Sequence, residues 1–196
     1  MIRYLAIFLF VIAASGQAVL QNAVIGNAVI GATSGGGGGC TTMKDNYDGT
    51  TAISSTDGVI RIAGRFTAAS SFTSCKVIMR LKRTGTLDGT WRAELWSSNG
   101  TAPPNALPLA LLAYSDSDPA ISTTAGDVTF ANLSYAIQSG TSYFIVVYHS
   151  TGGDYSGDYF EPYGATASGQ NTSLAADGST WEVGDATRSL DFQLYE

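Results

Sequence analysis

The sequence predicts an all-β chain: an antiparallel β-sandwich of jelly-roll type, behind an N-terminal apolar leader and a glycine-rich linker. Three observations carry this. The run Tyr143 to Tyr148 contains only β-branched and aromatic residues, with no charge and no breaker, which suits a central strand covered on both faces. Roughly eight such short runs recur along the chain, separated by Gly, Asn, Asp, Ser and Pro clusters. Charged residues make up only 13% of the chain, and Gly alone contributes 23 residues. That is the composition of a secreted or surface β-module rather than of a helical cytosolic enzyme.

In chain order, Met1 to Ala14 reads as a secretory leader: Arg3 supplies the positive region, and Tyr4 to Ala14 is apolar but too short to span a bilayer. The expected division is a signal peptide over 1–18, a repeat and glycine-rich linker over 19–50, and the sandwich over 51–196. Cleavage leaves no stable membrane span; retention as an anchor is the competing reading, because Val19 to Ala32 is still fairly apolar. The linker holds two copies of Asn-Ala-Val-Ile-Gly, at Asn22 to Gly26 and Asn27 to Gly31, then the run Gly35 to Gly39. The two cysteines, Cys40 and Cys75, form an even count in an exported chain and predict a disulfide. On the chain-entropy account a loop of about 35 residues closed this way contributes roughly 3–4 kcal/mol.

Within the domain, Val59 to Phe66 is the first clear strand, with Ile60, Ile62, Gly64 and Phe66 on one face and Arg61 and Arg65 on the other. Cys75 to Arg83 alternates, placing Cys75, Val77, Met79 and Leu81 on the core side. Thr84 to Gly89 reads as the loop of a hairpin into Thr90 to Ser97, where Trp91, Ala93 and Leu95 oppose Arg92, Glu94 and Trp96. Ser98 to Pro108 is a loop, rich in Pro and carrying Asn-Gly. Leu109 to Tyr114 and Val128 to Leu133 are further short runs. The closing stretch alternates Leu190, Phe192 and Leu194 inward.

Three segments carry a family resemblance: Trp91 to Trp96 followed by Asn99-Gly100 and a Pro-bearing loop; Ser139 to Val147; and Gly178 to Trp181 with Leu190-Asp-Phe-Gln-Leu194. Together they resemble the jelly-roll modules of bacterial exported proteins known as choice-of-anchor domains, and similar sandwiches of phage and surface proteins. The resemblance spans roughly Val59 to Glu196. It implies an exported or surface β-sandwich and transfers no catalytic residue.

Candidate binding residues are Trp96, Arg92 and Glu94, which share one strand face, with Tyr148 at the end of the central strand. An aromatic ring beside charged hydrogen-bonding groups is what a sugar needs, the ring stacking on its C–H face and the charges meeting its hydroxyls. The competing reading packs Trp96 under a loop or against the second core layer. Asp154, Asp158 and Glu161, set among tyrosines, are candidate ligands for a structural Ca²⁺, although their spacing is not that of an EF-hand; no other cofactor is expected. His149, the single histidine, has no nucleophile motif around it and reads as a structural or rim residue. Glu94, Glu161 and Glu182 are the carboxylates a glycosidase could recruit.

A net charge of −6 argues against non-specific nucleic-acid binding. Most basic residues fall between Arg61 and Arg92, either a solvated face or a patch for acidic glycans or a charged partner. The sequence therefore predicts a non-catalytic, secreted or cell-surface module for adhesion or carbohydrate binding, its partner a glycan or surface protein. The alternatives are a structural or assembly module of a surface layer, filament or virion, and a secreted glycan-active enzyme.

Overall fold

The computed structural model describes residues 24–25, 28–29, 39–47, 49, 51–53, 59–151, 157–166, 172–175, 180–184 and 188–196. The leader over 1–18 lies outside them. Every regular element described is a strand. The chain divides into two compact units, residues 1–37 and 38–196. In the first, β1 (Val24–Ile25) and β2 (Ala28–Val29) pair antiparallel, Val24 opposite Val29, so the two copies of the repeat pair with each other.

The second unit runs through β3 (Met43–Tyr47), β4 (Thr51–Ala52), β5 (Arg61–Thr67), β6 (Phe72–Thr84) and β7 (Trp91–Ser98). It continues through β8 (Pro108–Tyr114), β9 (Gly126–Ile137), β10 (Ser142–His149) and β11 (Tyr159–Thr166). It closes with β12 (Thr172–Ala175), β13 (Glu182–Val183), β14 (Arg188–Leu190) and β15 (Phe192–Tyr195). One sheet has the order β13-β12-β5-β10-β7-β8; the other has β14-β11-β6-β15-β3, with β9 on the far side of β6 and β4 on β11. All pairings are antiparallel, and the two sheets pack as a β-sandwich.

The central strand is β10, flanked by β5 and β7. Alternation sends Tyr143, Ile145 and Val147 into the sandwich core, with Phe66, Met79, Leu95 and Phe130. It sends Phe144 and Val146 to the outer face, where both are fully buried with Ala63 and Ala106 under Trp96 and Trp181. The last strand closes the core from the opposite sheet: the Phe192 ring lies 5.3 Å from Phe66, edge to face, and Phe66 lies 5.7 Å from Tyr143. At Gly64 the two sheets approach closely, since a Cβ there would lie 2.7 Å from Leu190 Cγ. A side chain at that position would force the sheets apart.

Three sequence expectations change. β6 and β7 do not form a hairpin; they belong to different sheets, and Gly85 to Thr90 carries the chain across. Both strands put alternate residues toward the core, and that pattern is satisfied equally by strands facing each other across it. Cys75 does not share the core face with Val77. The β6–β9 register shifts between Ser74 and Lys76, with the extra residues Asn132 to Ser134 on β9, so Ser74 takes the buried phase and Cys75 is only partly buried. It bonds to Cys40, with the two Cα atoms 5.9 Å apart. Finally, Met43–Tyr47, read as linker, is an edge strand paired with β15. Its Lys44-Asp45-Asn46 run carries no apolar alternation to betray it.

Phe192→Ala should lower unfolding free energy by about 3–5 kcal/mol, the range for a buried aromatic, read from urea denaturation. Asp45, on β3, has one carboxylate oxygen buried without a partner, and burial raises its pKa above the ordinary 3.8. A carboxyl raised in the folded state contributes its full stability below pH 3.8 and loses it as pH rises through the folded value. Asp45→Asn should therefore stabilise the protein at neutral pH, and the gain should vanish below about pH 4; thermal melts across pH 3–7 check this.

Candidate functional site

The outer face of the β5-β10-β7-β8 sheet carries three cross-strand rows. Tyr148 lies opposite both Arg61 and Arg92, Val146 opposite Ala63 and Glu94, and Phe144 opposite Arg65 and Trp96. β8 adds Tyr114 opposite Glu94. Strand alternation thus gathers Arg92, Glu94 and Trp96 from one strand and Tyr148 from its neighbour. Arg61 and Tyr114, which the sequence reading had not assigned to the site, complete the group.

Glu94 is the centre. Its carboxylate is fully buried and meets donors on all sides. Arg61 donates from Nε to Oε2 at 2.9 Å and from Nη2 to Oε1 at 3.3 Å. Arg92 donates from Nε to Oε1 at 2.8 Å, and its Nη2 lies 2.6 Å from the same oxygen as an ion pair. Trp96 donates its indole Nε1–H to Oε2 at 2.8 Å. A carboxylate buried without such partners would be prohibitive; here two cations and an N–H offset the loss of water.

Above the carboxylate, cations and rings alternate. The Arg61 and Arg92 guanidinium carbons lie 4.5 and 4.3 Å from the Tyr148 ring centroid, approaching from the strands on either side. Arg92 also lies 4.8 Å from the Tyr114 ring. These are cation–π distances. Exposure rises outward, from 13% for the Arg61 side chain to 31% for that of Arg92 and 52% for Tyr114. The guanidinium nearest solvent is therefore fixed by Glu94 beneath it and by two rings beside it.

Trp96 differs from the open stacking face the sequence suggested. Its ring is half-buried, packs on Phe144, Val146, Ala63 and Ala106, and meets Trp181 edge to face at 5.5 Å. It covers the outer side of β10, as the competing reading held. The exposed ring is Tyr114, the last residue of Leu-Ala-Leu-Leu-Ala-Tyr. Its position beside Glu94 depends on the β7–β8 register, which is irregular at Leu95/Trp96 and again at Trp96/Ser98, so strict alternation would not have placed it.

Of the calcium candidates, Asp154 lies outside the described residues. Asp158 accepts the Thr86 backbone N–H at 2.8 Å, and Glu161 pairs with Lys82 at 2.6 Å. That carboxylate raises the Lys82 pKa, chiefly through the hydrogen bond between them. Among the described residues no group of three His, Cys, Asp or Glu could hold a metal ion. The three glutamates are not brought together. Glu161 belongs to the other sheet, and three strands separate β13, with Glu182, from β7; at the usual strand spacing that is about 19 Å, far beyond the roughly 5–9.5 Å of glycosidase carboxylates. His149 is buried, stacked 4.3 Å from the Trp91 ring and close beneath Gly89.

Near that end, a cleft of about 430 Å³ is lined by residues including Arg83, Asp88, Trp91 and Asp118. Arg83 donates to the backbone carbonyls of Ile121 and Gly85, and Asp118 accepts the Trp91 N–H at 2.6 Å. These two polar groups hold the cleft's own walls. The chain matches no protein-family model, no curated protein and no solved structure.

Glu94→Ala should cost about 3–5 kcal/mol, because it removes the buried acceptor that Arg61, Arg92 and Trp96 share. Trp96→Phe, which keeps an aromatic ring and removes the N–H donor, should cost about 1.5–3 kcal/mol, the value of a hydrogen bond to a charge. Equilibrium unfolding of both variants would show whether Glu94 organises the face; equal stability of Glu94→Ala and wild type would show that it does not.

Proposed function

We propose that this protein is a non-catalytic exported β-sandwich module for surface adhesion or carbohydrate binding, acting through the outer face of the β5-β10-β7-β8 sheet. The observation that carries the proposal is the Arg92 guanidinium, pinned on Glu94 and lying against the Tyr148 and Tyr114 rings. A cation locked in one orientation beside an exposed phenol binds with little ordering to be done at the moment of contact.

The strand order supports a jelly-roll reading of the sandwich. Numbering β3, β5, β6, β7, β8, β9, β10 and β15 from first to eighth, the two sheets run 1-8-3-6 and 2-7-4-5, the arrangement of a jelly roll, a fold found in lectin and capsid domains. Export and a secreted or cell-surface location rest on the Arg3-led leader. The Cys40–Cys75 disulfide is compatible with that setting.

The assembly reading has one observation of its own. β8 is an edge strand without a charged residue, and Leu109 and Leu111 on it are 66% and 41% exposed.

On a glycan array the domain should bind a defined subset of saccharides, and Tyr114→Ala should weaken that binding about tenfold, or roughly 1.4 kcal/mol, without altering the thermal melt. No binding to any glycan, together with concentration-dependent self-association in sedimentation, would replace this reading with the assembly one.

A further inference from the structure

We infer that the ligand of this face is an acidic saccharide, whose carboxylate or sulfate is received by the outward edge of Arg92. The inference rests on the carbohydrate-binding reading above and specifies which sugars it admits.

The first support is the state of Glu94. A carboxylate offers about four lone-pair positions, and four hydrogen bonds from Arg61, Arg92 and Trp96 fill them on this one. It has no accepting capacity left for sugar hydroxyls, the role that the residue pattern suggested for it. Trp96 has likewise committed its indole N–H. What the face still offers is donors.

The second support is the geometry of Arg92. Its Nε is spent on Glu94 Oε1, with Nη2 ion-paired to the same oxygen, whereas Nη1 has no protein acceptor among the described residues. The two Nη atoms form the end-on edge of the guanidinium, and that edge matches the two oxygens of a carboxylate or the oxygens of a sulfate ester. The neighbouring rings, 4.3 and 4.8 Å from the guanidinium carbon, restrict its tilt. Tyr114, half-exposed beside it, supplies a hydroxyl and a ring.

The third support is charge. The Arg92 guanidinium, 31% exposed at its side chain, is the cation of the cluster nearest solvent. The nearest acidic residue along the chain from Tyr114, Asp116, is engaged by Asn132 Nδ2 at 2.7 Å. Arg92 thus presents a cation on a chain of net charge −6, so attraction there is specific to the spot. A neutral sugar would instead depend on ring stacking. Trp96 is half-buried and Tyr148 is covered by guanidiniums, which leaves only Tyr114.

The test uses matched oligosaccharides in titration calorimetry with the wild-type protein: a uronate-bearing chain against its neutral hexose counterpart, and a sulfated chain against the unsulfated one. The acidic member of at least one pair should bind ten-fold or more tightly. Which pair discriminates tells carboxylate from sulfate. Arg92→Lys, which keeps the charge and loses the fork, should cut the preference at least several-fold while the Arg61–Glu94 pair maintains the fold; the wild-type comparison stands even if that variant does not fold. Equal binding of acidic and neutral members would overturn this inference and leave the carbohydrate reading intact. Absence of binding to all four would overturn both.

Discussion

Everything about the domain's surface chemistry follows from one constraint: β10 must be covered on both faces. Its six residues from Tyr143 to Tyr148 carry no charge, and their only polar side-chain atoms are the two tyrosine hydroxyls. The inward set is covered by the opposite sheet, as in any sandwich. The outward set, Phe144 and Val146, faces what is usually solvent. The chain brings Trp96 and Trp181 over it, with Ala63 and Ala106 small enough to let them close down. Burying Phe144 and Val146 is favourable by about 1.5–3 kcal/mol each, and the cover is needed to realise it.

Covering that face creates the polar site. Trp96 packed over Phe144 has an indole N–H that must be satisfied as water is excluded, and Glu94, two residues earlier on the same face, accepts it. A carboxylate drawn under the cover then requires cations, supplied by Arg61 and Arg92 from the strands flanking β10. Each guanidinium lies against Tyr148, the residue with which β10 emerges from the buried zone. Apolar cover, buried charge and exposed cation thus form one continuous gradient along the sheet.

Much of this was legible in the sequence, and the limits have physical causes. Parity on a single strand placed Arg92, Glu94 and Trp96 together, and it split β10 into two buried sets, because side-chain direction in a strand is a local property. The Arg61–Tyr148–Arg92 row was not legible, since it depends on β5, β10 and β7 being neighbours, and those residues are far apart in the chain. Registers interrupted by bulges hid two further features, Cys75 on β6 and Tyr114 beside Glu94. The polar edge strand Met43–Tyr47 was missed because an edge does not need the apolar alternation by which inner strands announce themselves.

The buried ion trio is the feature that stability alone does not explain. Replacing such a group with well-packed apolar side chains of similar volume is often neutral or stabilising, and this face already has an apolar cluster that an aliphatic residue at position 94 would extend. Trp96 needs only one acceptor, whereas Glu94 gathers two guanidiniums as well. What a carboxylate provides here, and an aliphatic side chain could not, is a fixed anchor for the Arg92 side chain, 31% exposed. An unanchored arginine on a sheet surface samples many rotamers, with about 2 kcal/mol of rotamer entropy to lose on binding. Held at Nε and Nη2 and flanked by two rings, this one has given up much of that freedom during folding. The arrangement places the cost of ordering the cation in the fold, where the rest of the sandwich offsets it.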